Sequence, residues 1–379
     1  MNIVIAGDKF KGCLSSFQVC DAMATGLLQA APHFTITKIP LSDGGEGLAD
    51  VMSHYTNAKK VTTTVCDPLF RPIQASYFLS RDNHTAIIEM AQASGLLLLQ
   101  PHEYNPLQTS TFGTGQLIKH ALQQGVSKII LGIGGSATND CGIGMAAALG
   151  YRFLDAQGQE LKPIGENLSQ IETINVTDKI DLNKVTIEVA CDVTNRLTGE
   201  NGAARMYAPQ KGATPQMVQA LENGMLHFAL VVKRHAKIDL NTIESGGAAG
   251  GMGAGCVLFL NATLKRGVEL LLQYSDAEVH IRNADVVLTG EGKLDVQSLH
   301  GKVVQGVAAL SATYHKPVVA LCGTIDLDLQ VAHNAGITAA FSIIDKPLSL
   351  AEALLQSETL LTKAAYNLGN FFKTSYRFK

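Results

Sequence analysis

Charged side chains are scarce in this chain of 379 residues: Asp, Glu, Lys and Arg make up 17% of it, against about 25% in an ordinary globular protein. With 46% hydrophobic residues, that excludes a highly charged coiled coil and a disordered chain. No Lys/Arg run exceeds a pair such as Lys59-Lys60, and 30 basic against 33 acidic residues leave a net charge of −3. Nucleic-acid binders carry a basic footprint, so no nucleic-acid partner is expected. None of the seven cysteines forms a C-x-x-C and their number is odd, which fits buried thiols in a reducing, cytoplasmic setting. No run of 18 apolar residues occurs, so no membrane span is expected. Residues 1–6 run straight into Asp8, Lys9 and Lys11, without the basic start and longer apolar stretch of a secretory leader.

Nucleotide and hydrolase signatures are also missing. There is no G-x-x-x-x-G-K-[ST], no kinase H-R-D or D-F-G, no H-E-x-x-H and no G-x-S-x-G, so P-loop, protein-kinase, zinc-protease and α/β-hydrolase readings lack support.

Glycine, by contrast, is plentiful: 36 of 379 residues, concentrated in a few loops. The length suggests two or three domains. Apolar runs alternate with helical patterns in both end portions of the chain, the rhythm of a layered α/β fold. Residues 3–6 form a strand, Ser15 or Ser16 caps a helix, and residues 35–41 form a second strand before a loop and a further helix. The rhythm resumes at residue 284, with strands at 285–289, 317–322 and 338–343 and a long amphipathic helix over 348–372. The expected fold is therefore α/β with two domains. Residues 1–65 and 284–379 make one discontinuous domain, and 66–283 form an inserted α/β domain with glycine-rich loops. The segment 246–255 has six glycines in ten residues and is expected to serve close packing.

Several loops follow strands and combine glycine with charge. Gly132-Ile133-Gly134-Gly135-Ser136-Ala137-Thr138-Asn139-Asp140 lies between a strand and a helix. Its glycines let backbone N–H groups of Gly134 and Gly135 approach an oxyanion, with Ser136, Thr138 and Asn139 as side-chain donors and the helix N-terminus behind. The same loop fits the relaxed dinucleotide pattern G-x-G-x-x-A, with Asp155 18 positions after Ala137 to hold a ribose. An NAD(P)-dependent hydroxy-acid oxidoreductase is the alternative this leaves open. Asp43-Gly44-Gly45-Glu46-Gly47 places two carboxylates where a divalent ion or a hydroxyl could be held, or a proton accepted. Asp8-Lys9-Phe10-Lys11 offers compact cations for a carboxylate or phosphate. Cys191-Asp192-Val193-Thr194-Asn195 sets an acid at a strand end, suited to orienting or deprotonating a hydroxyl, and Lys211 follows as a further cation. Glu291 and Asp295 repeat the acid-and-glycine theme near residue 290.

In this collinear order the segments resemble the bacterial glycerate kinase family, the glycerate 2-kinase type (type I). Phe10-Lys11-Gly12, Asp43-Gly44-Gly45-Glu46-Gly47, 134–140, 191–195, 209–213 and 289–292 carry the likeness, which extends to about residue 323. Gly7-Asp8-Lys9 stands where the family usually has Pro-Asp-Ser; Arg196 replaces a proline and Ala208 a glycine. The resemblance implies a flavodoxin-like three-layer parallel-sheet domain and an inserted domain facing each other across a cleft that holds the active site. It also implies ATP-dependent phosphorylation of D-glycerate to 2-phosphoglycerate, the 3-phosphate product being the alternative.

Phosphoryl transfer needs positioning and charge neutralisation. The expected roles are a nucleotide phosphate cradle at Gly134, Gly135, Ser136, Thr138 and Asn139, and Mg2+ held by Asp295 or Glu291. Asp192 or Asp43 accepts the hydroxyl proton and Lys11 supplies catalytic charge. Asp8, Glu46, Asn195 and Lys211 contact substrate. The expected partners are small molecules, with homo-oligomer formation left open.

Overall fold

A computed structural model describes residues 1–44, 47–299 and 301–375. The chain divides into two compact units. Unit 1 comprises Met1–Asp43 and Arg266–Lys379, and unit 2 comprises Gly44–Lys265. The sequence reading drew its borders at 65/66 and 283/284. Residues just after 43 go with unit 2 because the helix Leu48–Thr56 packs on the strands Pro72–Leu79 and Thr85–Glu89. Residues just after 265 go with unit 1 because Gly267–Tyr274 packs on the helix Val303–Thr313.

Unit 1 is built on a five-stranded parallel sheet. Its spatial order is Thr35–Lys38, Asn2–Gly7, Val286–Gly290, Val318–Cys322, Ala339–Ser342. Numbered along the unit this is 2-1-3-4-5, the flavodoxin-like order. The three central strands are covered on both faces, which is why they read as apolar runs. Ile3, Ile5, Val286, Leu288, Val319 and Leu321 point to the core under the helices Ser16–Ala30 and Ser357–Ser375. Ala320 and Cys322 point to the opposite core with Val304 and Ala308. Ser15 caps the helix Ser16–Ala30 by accepting from Gln18 N, and the Gln18 side chain returns a bond in a capping box. The C-terminal amphipathic stretch is two helices, Leu350–Leu355 and Ser357–Ser375.

Unit 2 carries a six-stranded mixed sheet in the order Thr263–Lys265, Thr186–Ala190, Lys128–Gly132, Thr85–Glu89, Pro72–Leu79, Lys59–Cys66. The first four are parallel; Pro72–Leu79 is antiparallel to both its neighbours. The register aligns Glu89 with Gly132 and Gly132 with Ala190, so the loops after these three strands emerge along one carboxyl edge. The glycines of 246–255 serve packing: a Cβ at Gly250 would lie 2.0 Å from Thr138 O, and one at Gly255 2.3 Å from Cys141 O. Ala249, Gly250 and Gly251 all take positive φ, and Gly250 O accepts from Cys141 N. All seven cysteines are free. No helix among the described residues is long and apolar enough to cross a membrane.

Candidate active site

In unit 1 the strand Asn2–Gly7 and the strand Val286–Gly290 are neighbours whose onward connections leave in opposite directions, the crevice where such sheets bind ligands. Gly7 pairs with Gly290 and Asp8 N donates to Gly290 O, so Asp8 and Glu291 leave adjacent strand ends together. The chain beyond Thr35–Lys38 continues beside the first strand, Leu41 N donating to Gly7 O, and delivers Asp43 to the same edge. Asp8 and Glu291 are buried, at 5% and 8% exposure. Burial first, and then the Asp43 carboxylate, push Asp8 up to about 8 against the pull of the Lys9 N–H, which donates to Asp8 Oδ1 at 2.7 Å. Burial likewise drives Glu291 to about 7, with Ser298 and Lys302 opposing and Asp295 and Asp43 adding to the rise. Glu291 Oε1 is buried with no hydrogen-bond partner.

The other unit 1 candidates are more exposed. Lys9 Nζ stands 3.9 Å from Asp43 Oδ1, both about one-quarter exposed. Lys11 is exposed on the turn that follows. Asp295 spends one oxygen on local structure: Oδ1 accepts from Gln297 N and Ser298 N, opening the short helix Val296–Leu299. Lys293 Nζ stands 3.8 Å from its Oδ2. Glu46, together with Gly45, lies outside the described residues.

In unit 2 the loop after Lys128–Gly132 separates by burial. Gly134 and Gly135 are exposed, whereas Ser136, Thr138 and Asn139 are buried. The N–H groups of Gly134 and Gly135 donate to nothing among the described residues. Gly135 has φ +71, a region side chains seldom adopt. Thr138 Oγ1 and both amide atoms of Asn139 are buried without partners. The helix after the loop is short, Ile143–Ala148, because Cys141 and Gly142 take positive φ. Its N-terminus is already occupied: Asp140 accepts from Gly142 N, Gly144 N, Thr111 N and Thr111 Oγ1. The available anion donors are therefore the Gly134 and Gly135 amides, not the helix end. Burial pushes Asp140 up, and those donors oppose it.

Lys211 is fully enclosed, at 2% exposure. Its Nζ donates to Ser136 Oγ at 2.8 Å and Thr138 O at 2.6 Å. Burial lowers its pKa to about 7, against the pull of Asp140. The ammonium thus braces the loop from behind. Asp192 is half-buried just past Thr186–Ala190, on the same carboxyl edge. The Asn195 amide is committed internally, Nδ2 to Asn201 O and Oδ1 from Tyr207. Asp155, the acid of the dinucleotide alternative, follows a strand of a separate antiparallel pair, Arg152–Leu154 with Thr173–Asn175. Its Oδ1 accepts from Gln157 N and Gln159 N, so it closes its own turn.

A cavity of about 330 Å³ opens at this edge of unit 2, walled by Gly134, Gly135, Gly132, Gly44, Glu89 and the segment 91–98. That segment is tied to the glycine loop: Leu96 N donates to Gly135 O and Ala137 N to Ser94 O. Sequence reasoning missed Gln74, Glu89, Gln92, Leu97 and Leu98 of its lining. The signal was faint, a Glu at the end of the strand beside Lys128–Gly132.

The model of the glycerate kinase family matches residues 3–373. The chain is 41% identical over 374 residues to the glycerate kinase of Bacillus cereus, covering 98% of each chain. It is 42% identical over 370 residues to the glycerate 2-kinase of Escherichia coli K12, covering 97% of each. The crystal structure of a protein assigned as glycerate kinase 2 from Salmonella typhimurium LT2 superposes with a TM-score of 0.89 at 41% identity, over 100% of this chain and 99% of that one. With its flavodoxin-like sheet order, paired strand-end acids and braced glycine loop, this chain belongs to the glycerate kinase family.

Proposed function

We propose that the protein transfers the γ-phosphoryl group of ATP to the 2-hydroxyl of D-glycerate, giving 2-phosphoglycerate and ADP. One observation carries the reading: two exposed glycines present unpaired N–H groups at the wall of a cavity large enough for a nucleotide portion, a neutral anion cradle of the kind phosphates use. The E. coli relative's name, glycerate 2-kinase, favours the 2-phosphate over the 3-phosphate product.

In this reading the Gly134 and Gly135 amides receive nucleotide phosphates, and Lys211 keeps the loop in shape through Ser136 and Thr138. Thr138 takes part through its carbonyl, which accepts from Lys211, while Thr138 Oγ1 and the Asn139 amide are buried beside the loop. Asp192 or Asp43 accepts the proton of the attacking hydroxyl; Asp8, whose pKa of about 8 lies near a working pH, joins them as a candidate. Lys11 provides an exposed cation for the glycerate carboxylate.

The oxygen-only donor set and the orphaned Glu291 Oε1 suit Mg2+, which takes one or two protein carboxylates and leaves its other positions to phosphate and water. Glu291 would hold it, with Asp295 Oδ2, which faces Lys293 Nζ at 3.8 Å, as second candidate. The ion would neutralise charge on the transferring group. The reading sets the reaction in the reducing cytoplasm.

A coupled assay with ATP, Mg2+ and D-glycerate tests this. ADP should appear only when all three are present, and NMR of the product should show the phosphate on C2. Phosphate on C3 would move the acceptor hydroxyl. A nicotinamide absorbance change with a hydroxy acid, without ADP, would replace the kinase by the oxidoreductase.

A further inference from the structure

We infer that the unit 2 cavity holds the base and ribose of a purine nucleotide, with the segment 91–98 as the base platform; this rests on the ATP reading above. The wall combines two kinds of group: the unpaired N–H groups of Gly134 and Gly135, and the apolar side chains of Ala91, Leu97 and Leu98. Ala91 adjoins the glycine loop, 3.3 Å from where a Gly135 Cβ would stand.

Leu97 is 91% exposed. A single exposed leucine needs no explanation, but this one stands at the rim of a concave site. Leu96–Leu99 reads in sequence as a core run, yet of the four only Leu99 is buried. The short helix Leu96–Leu98 is fixed to the glycine loop by the Leu96 N to Gly135 O and Ala137 N to Ser94 O bonds. The apolar platform and the phosphate donors are therefore parts of one rigid cup. Gly95 makes the tight junction: a Cβ there would lie 2.3 Å from Ala91 O.

The polar groups of the same wall match a nucleoside. Glu89 ends the strand next to Lys128–Gly132, where an acid can accept ribose hydroxyls as it does in dinucleotide folds; its Oε1 already accepts from Ala49 N, which fixes its orientation. Gln74 donates its Nε2 to Thr64 Oγ1, which leaves its Oε1 as an acceptor for an exocyclic amine. The Gln92 amide makes no hydrogen bond among the described residues and is exposed. Among the described residues no Lys or Arg lines the cavity. A small hydroxy acid would meet a carboxylate instead of a cation there, and would have no use for the leucines. A volume of about 330 Å³ lies at the lower end of the ~300–1,000 Å³ range of ligand pockets.

Calorimetric titration of the full chain with ADP and Mg2+, beside KM values for ATP and D-glycerate, tests the assignment. Leu97→Asp changes an exposed side chain and should leave the fold intact. It is expected to weaken ADP at least tenfold and raise the ATP KM similarly, with the glycerate KM unchanged. Gln92→Ala should weaken ADP severalfold. The inference is overturned if wild type binds ADP and both variants bind it equally well, or if Leu97→Asp raises the glycerate KM as much as that for ATP. If wild type binds no ADP, the ATP reading falls too, so the wild-type arm separates the two failures.

Discussion

At the carboxyl edge of the unit 1 sheet, carboxylates crowd together: Asp8 and Glu291 are buried, Asp43 raises both of their pKa values, and the exposed cation Lys11 follows on the next turn. At the corresponding edge of unit 2 the exposed groups are uncharged backbone amides at Gly134 and Gly135, and the Lys211 side chain is turned inward onto Ser136 and Thr138. In the proposed reaction one edge would act by side-chain charge held at a cost in solvation. The other would act by backbone shape, held by close contacts that glycine permits. The first should therefore be sensitive to neutralising a carboxylate and to pH. The second should be sensitive to any added Cβ and to loss of the brace.

The largest effect should come from the proton acceptor. Asp192→Asn, Asp43→Asn and Asp8→Asn are close in shape to the wild-type residues. The one that removes the base should cut kcat by about 10²–10⁴-fold, with an unchanged circular dichroism spectrum. If Asp192→Asn does this, proton transfer belongs to the glycine-loop edge; if only Asp8→Asn or Asp43→Asn does, it belongs to the acidic edge. Near-normal turnover in all three removes an aspartate base from the mechanism.

Next in size is Gly135→Val. Its φ of +71 strains any side chain, and a Cβ would lie 3.3 Å from Ala91 Cβ. ATP binding should be lost, while Gly158→Val, also at positive φ but with nothing within 4 Å, should leave it intact. Equal behaviour of the two would show that the cradle depends on more than local shape. Lys211→Met keeps length and removes the bonds to Ser136 and Thr138. It should weaken ATP by about tenfold, the equivalent of ~1.4 kcal/mol or one to two hydrogen bonds, with Lys211→Arg failing to rescue because the enclosed site has no room for a guanidinium. A change confined to the glycerate KM would return Lys211 to direct substrate contact.

Much of unit 1 is legible in the sequence because its signals are local. Three of its strands lead into loops that combine glycine with an acid, and a parallel sheet places strand ends on one edge; Asp8, Asp43 and Glu291 follow from that. Lys211 is not legible in the same way. A lysine reads as solvent-facing, and its burial depends on Ser136, 75 residues earlier. Leu97 has no local cue either: it stands exposed in a run of four leucines of which Leu99 is buried. The helix after the glycine loop starts late because Asp140 and two positive φ angles consume its expected first turn, and neither feature has a composition cue.

What separates the two edges most directly is the sign of the pH dependence of stability in the ligand-free protein. Asp8 has a pKa of about 8 in the fold against 3.8 for an exposed aspartate. Between these values the folded state holds more protons than the unfolded one, so this contribution falls as pH rises from about 4 to about 8. Glu291, at about 7 against 4.5, has the same sign over a narrower window. Lys211 runs the other way: at about 7 in the fold against 10.5, it binds fewer protons folded than unfolded, so its contribution rises with pH from about 7 to about 10.5. Thermal melts of Asp8→Asn should therefore gain on wild type as pH increases from 4 to 8 and then run parallel to it. Melts of Lys211→Met should gain on wild type as pH falls from 10.5 to 7 and run parallel below that. Parallel melting curves for wild type and Asp8→Asn over pH 4–8 would mean that the strand-end carboxylate is solvated as well as it is in the unfolded chain. The acidic edge would then lose the electrostatic tension that sets it apart from the glycine edge.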